Sequence, residues 1–70
     1  MNEIDGTGPT AQYMGSNENT LRYWRHIGEG PVSFKVGRRV LYRKVDVDAW
    51  LDAQYAATRR GDAVPTGGAV

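Results

Sequence analysis

The side chains of this sequence that are best suited to binding chemistry are cations concentrated in one segment. Residues 20–44 contain seven lysine and arginine residues and a single acid, a net charge of +6, whereas the remainder of the chain carries −5. Such a segment produces a local positive field even though the formal charge of the whole chain is only +1. The sequence therefore predicts that the central segment binds a polyanion.

Catalytic or metal-dependent chemistry has little support. His26 is the one histidine, and no motif supplies it with a nucleophile or an orienting acid. Asp46, Asp48 and Asp52 contain ligands that suit a hard metal ion, but their helical context favours dipole stabilisation and solvation instead. We therefore expect a protein that is not an enzyme and that holds neither a metal nor a cofactor.

The composition favours one small domain in a reducing compartment. A chain of 70 residues builds a single, modest core. It contains no cysteine, so neither disulfides nor thiolate zinc sites supplement that core. The sequence has no signal-like start and no apolar run of about 18 residues, so we expect a soluble cytoplasmic protein rather than a secreted or membrane-spanning one.

The first half of the basic segment is predicted to form a helix. Asn17 is a favoured N-cap residue, and Gly28 stands where a left-handed residue commonly ends a helix. Between them, Leu21, Trp24 and Ile27 recur at three-residue spacing and share one face of the helix. We expect this apolar face to be buried.

The opposite face of the same helix consists of hydrogen-bond donors. At about 100° per residue, Asn19, Arg22 and His26 lie opposite the apolar face, flanked by Arg25 and Tyr23. A helix that enters the major groove of DNA reads base edges and phosphates with such side chains. The alternative is a solvated face that keeps the helix soluble, but a second basic element after the helix favours DNA binding.

That second element is a predicted β-hairpin that turns at Gly37–Arg38. Phe34 and Val36 share one face of its first strand, and Val40 and Tyr42 share one face of its second strand. The basic residues are expected mostly on the opposite faces. Tyr42 is predicted to lie in the core with its hydroxyl at the edge.

Two further helices are predicted before and after these elements. The first is short, with Pro9 in its first turn, helix-compatible residues from Thr10 to Met14 and Gly15 as its end. The last begins at about Lys44. Its apolar stripe consists of Val47, Trp50, Leu51 and Tyr55. Because both tryptophans of the chain have apolar companions at helical spacing, they are predicted to be core residues rather than platforms for bases.

The stretches "TLRYWRHIGEGP" and "KVGRRVLYRKVDVDAWL" resemble the winged helix-turn-helix of the MerR superfamily, and within it the excisionase and AlpA-like branch. The resemblance covers roughly residues 9–53. Its most specific part is an ordered set of residues at fixed spacing: Thr20, Leu21, Arg22, Trp24, Gly30, Pro31, Gly37, Arg38, Tyr42, Asp46, Val47, Trp50 and Leu51. Gly8 and Pro9 depart from the pattern and imply a first helix shorter than is usual in the family.

The resemblance implies a small α+β winged helix-turn-helix. In this family the second helix enters a major groove, the hairpin wing meets the DNA backbone or a minor groove, and the closing helix packs beneath both. The candidate DNA-binding residues of the recognition helix are Asn19, Thr20, Arg22, Tyr23, Arg25 and His26. Those of the wing are Lys35, Gly37, Arg38 and Arg39.

The resemblance also implies a function in site-specific recombination. MerR regulators continue into a dimerisation helix and a sensor region, whereas this sequence ends some 20 residues after Asp46. It is more similar to phage excisionases, the recombination directionality factors that bind repeated attachment-region sites cooperatively, bend DNA and promote integrase-mediated prophage excision. The partners expected are double-stranded DNA, integrase and further copies of the chain, in the nucleoid of a bacterial host cell.

Two other functions stay open. A small phage or bacterial transcriptional regulator would use the same fold at an operator, and an integrase gene beside this one would favour the excisionase. A protein-interaction module would use the basic face to bind an acidic partner, and its binding would not depend on nucleic-acid sequence.

The expected domain organisation has three parts. Residues 1–8 form a flexible N-terminus, residues 9–57 form the DNA-binding domain, and residues 58–70 form a disordered tail. Arg59 and Arg60 have two interpretations that the sequence leaves open. They are either cations suited to the end of the last helix or contacts to DNA or integrase.

Overall fold

A computed structural model describes residues 1–61, and in this part of the chain three helices pack on a three-stranded antiparallel sheet. The elements are β1 (Ile4–Gly6), α1 (Thr7–Met14), α2 (Glu18–Ile27), β2 (Phe34–Val36), β3 (Arg39–Arg43) and α3 (Lys44–Thr58). The strand order is β1-β3-β2. Helices α1 and α2 form the helix-turn-helix, and β2 and β3 form the wing, which confirms the predicted fold class. Most of the predicted tail, residues 62–70, lies outside the described residues.

The N-terminal residues form a strand that the sequence analysis did not predict. Ile4 pairs with Arg43 and Gly6 pairs with Leu41 in an antiparallel ladder, and the backbone N–H of Lys44 donates to the Glu3 carbonyl at 2.8 Å. Residues 1–8 were expected to be a flexible segment. They instead supply β1 and the start of α1, because the edge of β3 that faces away from β2 offers unpaired backbone groups that this segment satisfies.

Helix α1 begins at Thr7, two residues before Pro9, which the sequence had placed in its first turn. Gly6 is extended at the N-cap, and Pro9 lies in the first turn, where its missing N–H leaves no intrahelical hydrogen bond unmade. Gly8 and Pro9 therefore do not shorten the helix to the predicted span. The predicted end is confirmed, since Gly15 has a φ of 73° and caps the helix.

Both predicted ends of α2 are confirmed. The Asn17 side chain accepts a hydrogen bond from the Thr20 backbone N–H at 2.9 Å. At the other end Gly28 has a φ of 79°, and the backbone N–H of Glu29 donates to the Trp24 carbonyl at 2.7 Å. Because each end is satisfied by residues next to it in sequence, the length and position of α2 follow from local chemistry.

The prediction for the apolar face of α2 is only partly right. Leu21 is 1% exposed and Trp24 is half-buried, but Ile27 is 47% exposed. Ile27 lies in the last turn, which extends past the core. The last predicted member of the α3 stripe behaves in the same way, since Tyr55 is 66% exposed. Both helices thus leave an apolar residue at their C-terminal ends without cover from the described part of the chain.

The hairpin turns at Gly37–Arg38 as predicted, and its register decides which side chains share a face. Phe34 is opposite Leu41, Lys35 is opposite Val40 and Val36 is opposite Arg39. Residues directly opposite one another in an antiparallel pair lie on the same face. Within each strand the basic residue still lies opposite the apolar ones, as predicted. The register nevertheless places the apolar faces of the two strands on opposite faces of the hairpin, so Lys35 shares a face with Val40 and Arg39 shares a face with Val36.

One face of the hairpin, which we call the inner face, contributes to the core. It carries Lys35, Val40 and Tyr42, and Tyr42 is only 2% exposed. The other face, the outer face, carries Arg39. The buried hydrophobic cluster consists of Ala11, Leu21, Tyr42 and Val47, with Met1, Met14, Trp24, Val40 and Leu51 partly buried against it. It lies where the three helices meet the inner face of the sheet.

The loop between α2 and the wing is held against the tryptophan pair. The rings of Trp24 and Trp50 have centroids 5.2 Å apart and are tilted by 45°. Gly30 has a φ of 82°, and a Cβ at this position would lie 3.1 Å from the Trp24 Cβ. A glycine is therefore required here for two reasons, the backbone conformation and the close approach to Trp24. Pro31, the next residue, is buried.

No helix within residues 1–61 is both long enough and apolar enough to cross a lipid bilayer. The longest is α3, with 15 residues.

Candidate nucleic-acid interface

The outward face of α2 is exposed, as the sequence analysis predicted. The exposed side chains on this face are Asn19, Arg22, Tyr23, Arg25 and His26. Tyr23 has 61% of its surface accessible to solvent. Contact of these side chains with DNA remains a prediction.

Thr20 differs from the other candidate residues of the recognition helix. It is half-buried, and its backbone N–H is occupied by the Asn17 cap. Its position at the start of α2 therefore places it at the margin of the exposed face rather than in its centre.

Arg22 is held along the helix by two neighbours. It donates to the Glu18 carboxylate at 2.8 Å and to the Asn19 side-chain oxygen at 3.3 Å. Exposed ion pairs of this i,i+4 kind contribute only about 0.3–0.5 kcal/mol. Arg22 must therefore exchange these partners if it is to contact a base or a phosphate, and the exchange is energetically small.

Glu18 is a residue of this face that the sequence analysis missed. Its carboxylate pairs with Arg22 and also lies beside α1, where one of its oxygens would be 3.0 Å from a Cβ built on Gly8. The signal that would have found the pair is the i,i+4 spacing of an acid before a cation.

Arg25 is held by the loop that precedes the wing. Its Nε donates to the Ser33 hydroxyl at 2.9 Å, which links α2 to the residue just before β2. The bond occupies one of the five guanidinium donors and leaves the two terminal nitrogens able to bind an anion. The sequence gives no signal for this contact, because eight residues and the turn at Gly28–Pro31 separate the two side chains.

A pocket of about 310 Å³ lies between α2, β3 and the start of α1. It is lined by Thr7, Arg22, Arg25, His26, Val40 and Tyr42. The structure thus brings together three of the six predicted recognition-helix residues around one concave surface. None of these lining side chains is acidic, so the pocket has the electrostatic character of an anion site.

Tyr42 forms the buried wall of this pocket. Burial raises the pKa of its hydroxyl, while the positive charge of Arg25 acts in the opposite direction. The predicted position of this residue, in the core with the hydroxyl at the edge, is confirmed. Within residues 1–61 the hydroxyl has no hydrogen-bond partner, although the side chain is 2% exposed.

The candidate wing residues do not converge on one side. Lys35 lies on the inner face with Val40, Arg38 lies in the turn beside Gly37, and Arg39 lies on the outer face. All are exposed. The Arg39 guanidinium extends towards β1, where it would lie 3.6 Å from a Cβ on Gly6. Only Lys35 therefore shares the α2 side of the sheet.

The acidic residues of α3 belong to a different surface. The Asp48 carboxylate accepts hydrogen bonds from the Tyr13 hydroxyl at 2.6 Å and from the Lys44 ammonium at 3.2 Å. We call Tyr13, Lys44 and Asp48 the α1–α3 clasp. The Tyr13 hydrogen bond, followed by that of Lys44, lowers the pKa of Asp48.

In the described part of the chain, no group of three or more His, Cys, Asp and Glu residues is arranged to hold a metal ion.

Comparison with known proteins identifies the family. A family model described as a helix-turn-helix domain matches residues 10–55, well over half of the chain. These residues contain α2 and the whole wing, and all of α1 after its first turn. A search of curated proteins and a search of solved structures gave no match. The chain therefore belongs to the helix-turn-helix domain family, and its fold is that of a DNA-binding domain with a sheet that forms a wing.

Proposed function

We propose that the protein is an excisionase, a recombination directionality factor that binds specific sites in double-stranded DNA and promotes prophage excision by an integrase. The observation that carries the DNA-binding part is the exposed donor face of α2 beside a pocket without acidic side chains. The resemblance of the sequence to the excisionase and AlpA-like branch supports the recombination part.

In the proposed complex, α2 lies in the major groove. Asn19, Arg22 and His26 face the bases, and Arg22 leaves the Glu18 carboxylate to do so. Arginine makes the commonest specific contact with guanine, through the O6 and N7 atoms. Thr20, Tyr23 and Arg25 lie at the walls of the groove, and the fixation of Arg25 by Ser33 suits it to a fixed phosphate.

The wing is proposed to contact the phosphate backbone through Lys35, Arg38 and Arg39, with Gly37 allowing close approach at the tip. The three cations point to different sides of the hairpin. We therefore expect the hairpin to straddle a strand of DNA, with Lys35 contacting the side nearer α2.

Several copies of the protein are proposed to bind side by side. Bending a site of 20 to 30 base pairs costs on the order of 1 to 6 kcal/mol, which the contacts of one small monomer offset poorly. The acidic part of the chain, with its net charge of −5 outside residues 20–44, suits the basic face of a neighbouring copy. Sedimentation with a DNA fragment that carries several sites should therefore show that copies of the protein bind cooperatively. Independent binding to the sites would contradict the side-by-side arrangement.

The decisive experiment is a footprint and mobility-shift titration on the DNA that flanks the gene, at two salt concentrations. If about six cations contact phosphates, the slope of log K against log salt is near −5, so a fourfold rise in salt weakens binding about a thousandfold. Regularly spaced protected sites in bent, cooperative complexes would support the excisionase. One protected site over a promoter would favour a transcriptional regulator, and a slope near zero would contradict DNA binding altogether.

A further inference from the structure

We propose that the pocket between α2 and β3 binds one phosphate group, and that its natural occupant is a single phosphodiester of the DNA on which α2 lies. The Tyr42 hydroxyl is the donor at the wall of the pocket, and Arg25, His26 and Thr7 supply the surrounding donors. The inference rests on the proposed function, which it deepens by assigning one phosphate to one pocket.

The first observation is the unpartnered hydroxyl of Tyr42. The side chain is 2% exposed and lines the pocket, yet its hydroxyl makes no hydrogen bond within residues 1–61. The hydroxyl oxygen is not enclosed by the protein, since among the described residues Thr10 Oγ1 is the enclosed side-chain oxygen without a partner. The Tyr42 hydroxyl therefore opens onto the pocket, where it is free to donate a hydrogen bond to a ligand. Phenylalanine would fill the same core space without the polar group, so packing alone does not explain tyrosine here.

The second observation is the preorganised guanidinium of Arg25. The Ser33 hydroxyl holds its Nε at 2.9 Å, and Arg25 is the charged group whose field acts on the Tyr42 hydroxyl. A guanidinium with one nitrogen fixed loses less side-chain freedom when its remaining donors bind an oxyanion. Ser33 is therefore a positioning residue for this site.

The third observation is the size and lining of the pocket. Its volume of about 310 Å³ is at the lower end of the range of roughly 300 to 1,000 Å³ for ligand pockets. That space accommodates a phosphate together with the sugar attached to it. Val40 provides an apolar wall for the sugar, and the polar lining consists of donors without a carboxylate to repel an anion.

The main test compares Tyr42→Phe with Tyr55→Phe on the most strongly protected DNA site. Each change removes one phenolic hydroxyl, but Tyr55 lies on α3 and is 66% exposed. We expect Tyr42→Phe to unfold at the wild-type temperature and to bind DNA about tenfold more weakly, as for a lost hydrogen bond to a charged group. Tyr55→Phe should bind like the wild type. Equal affinities for Tyr42→Phe and the wild type would overturn the proposal.

A second test identifies the phosphate. The same DNA is prepared with each phosphate in turn replaced by a neutral methylphosphonate, and both proteins are titrated on every duplex. At one position the methylphosphonate should weaken DNA binding by the wild type and make its affinity equal to that of Tyr42→Phe. The two affinities become equal there because the hydroxyl and that phosphate are each other's hydrogen-bond partner. If the wild type bound more tightly than Tyr42→Phe on every substituted duplex, the assignment of the hydroxyl to one phosphate would be overturned.

A third measurement separates the pocket from the DNA that supplies its occupant. Inorganic phosphate is added to the wild-type protein while the NMR signals of Tyr42 and His26 are followed. Saturable shifts that DNA reverses would support the pocket as the site of a DNA phosphate. Shifts in a protein that binds no DNA would assign the pocket to free phosphate and overturn both its DNA source and the proposed function. DNA binding with neither shifts nor a Tyr42→Phe effect would overturn the pocket alone.

Discussion

Tyrosine and charged side chains occur together in two regions, the α2 side of the molecule with its pocket against β3, and the α1–α3 clasp. The two regions differ in whether these side chains have hydrogen-bond partners within the protein. In the clasp, one carboxylate accepts hydrogen bonds from both Tyr13 and Lys44, and the ammonium lies 5.4 Å from the centre of the tyrosine ring. On the α2 side, Tyr42 lacks a partner within residues 1–61, and Arg25 keeps most of its donors free. The clasp uses its polar groups on one another, whereas the α2 side keeps them available for a ligand.

The difference shows why exposure alone does not identify a binding surface. Tyr13 is 39% exposed and Tyr23 is 61% exposed. The Tyr13 hydroxyl joins α1 to a residue 35 positions away, so its role is explained by the fold. Tyr23 makes no hydrogen bond with the described residues, so the fold does not explain its polar end.

The largest expected effect is on the α2 side. Arg22→Ala should cost roughly 1 to 3 kcal/mol of binding free energy and change the preferred DNA site, because Arg22 is proposed to read a base. Arg39→Ala on the wing should weaken all sequences alike, because Arg39 is proposed to contact phosphate. Mobility-shift titrations on the protected site and on single-base variants of it measure both. Equal sequence dependence in the two variants would contradict the division into base-reading and phosphate-binding residues.

A matched pair of hydroxyl deletions tests the comparison directly. Tyr13→Phe removes the hydrogen bond to Asp48 and should lower the thermal midpoint by about 2 °C while leaving DNA affinity unchanged. Tyr23→Phe should leave the midpoint unchanged and weaken DNA binding severalfold. Thermal unfolding and DNA titration of both variants measure the two effects. If both changes affect the same property, the two regions do not have separate roles.

A smaller effect is expected from Glu18, the acid within the donor face. Glu18→Gln frees Arg22 from its ion pair and removes a negative charge from the surface that approaches DNA. Binding to non-specific duplex should tighten about twofold to fivefold, given the small energy of such pairs and the lost repulsion.

Glu29→Gln provides the control for this change, since Glu29 lies just beyond the end of α2 and makes no ion pair with the described residues. It removes the same charge and should change affinity less. In an Arg22→Ala background, the effect of Glu18→Gln should fall to that of the control. Equal effects of the two changes in the wild-type background would show that Glu18 acts only through net charge.

The smallest expected effect is the pH dependence of the clasp. The pKa of Asp48 is lowered from its usual 3.8, first by the Tyr13 hydroxyl and then by Lys44. The contribution of Asp48 to stability is therefore present above a pH of about 4 and is lost as the pH falls through its lowered pKa. Asp48→Asn should reduce the thermal midpoint at pH 7 more than at pH 2.5. An equal reduction at both values would contradict this role for the carboxylate.

Much of the fold follows from short-range signals. Asn17 and Gly28 set the ends of α2 because each satisfies backbone groups within a few residues of itself. The same is true of Gly15 at the end of α1 and of the turn at Gly37–Arg38. The donor face of α2 was predictable from helical periodicity, since α2 is regular and one side of it packs on the core.

What could not be predicted depends on partners distant in sequence. β1 was missed because Ile4–Gly6 becomes a strand only where the open edge of β3 lies beside it. Ile27 and Tyr55 were assigned to buried faces because periodicity does not reveal where a core ends. The link from Arg25 to Ser33 was invisible for a similar reason, since it depends on the path of the loop around Trp24.

The order and type of the main elements, the basic character of residues 20–44 and the family to which the chain belongs all follow from the sequence. These depend on local propensity, on capping and on spacing along the chain. Two further features depend on the folded arrangement: Lys35 and Arg39 lie on opposite faces of the hairpin, and Tyr42 and Arg25 line the same pocket. Strand register and helix–sheet packing fix such contacts, because they join side chains that no local pattern relates to one another.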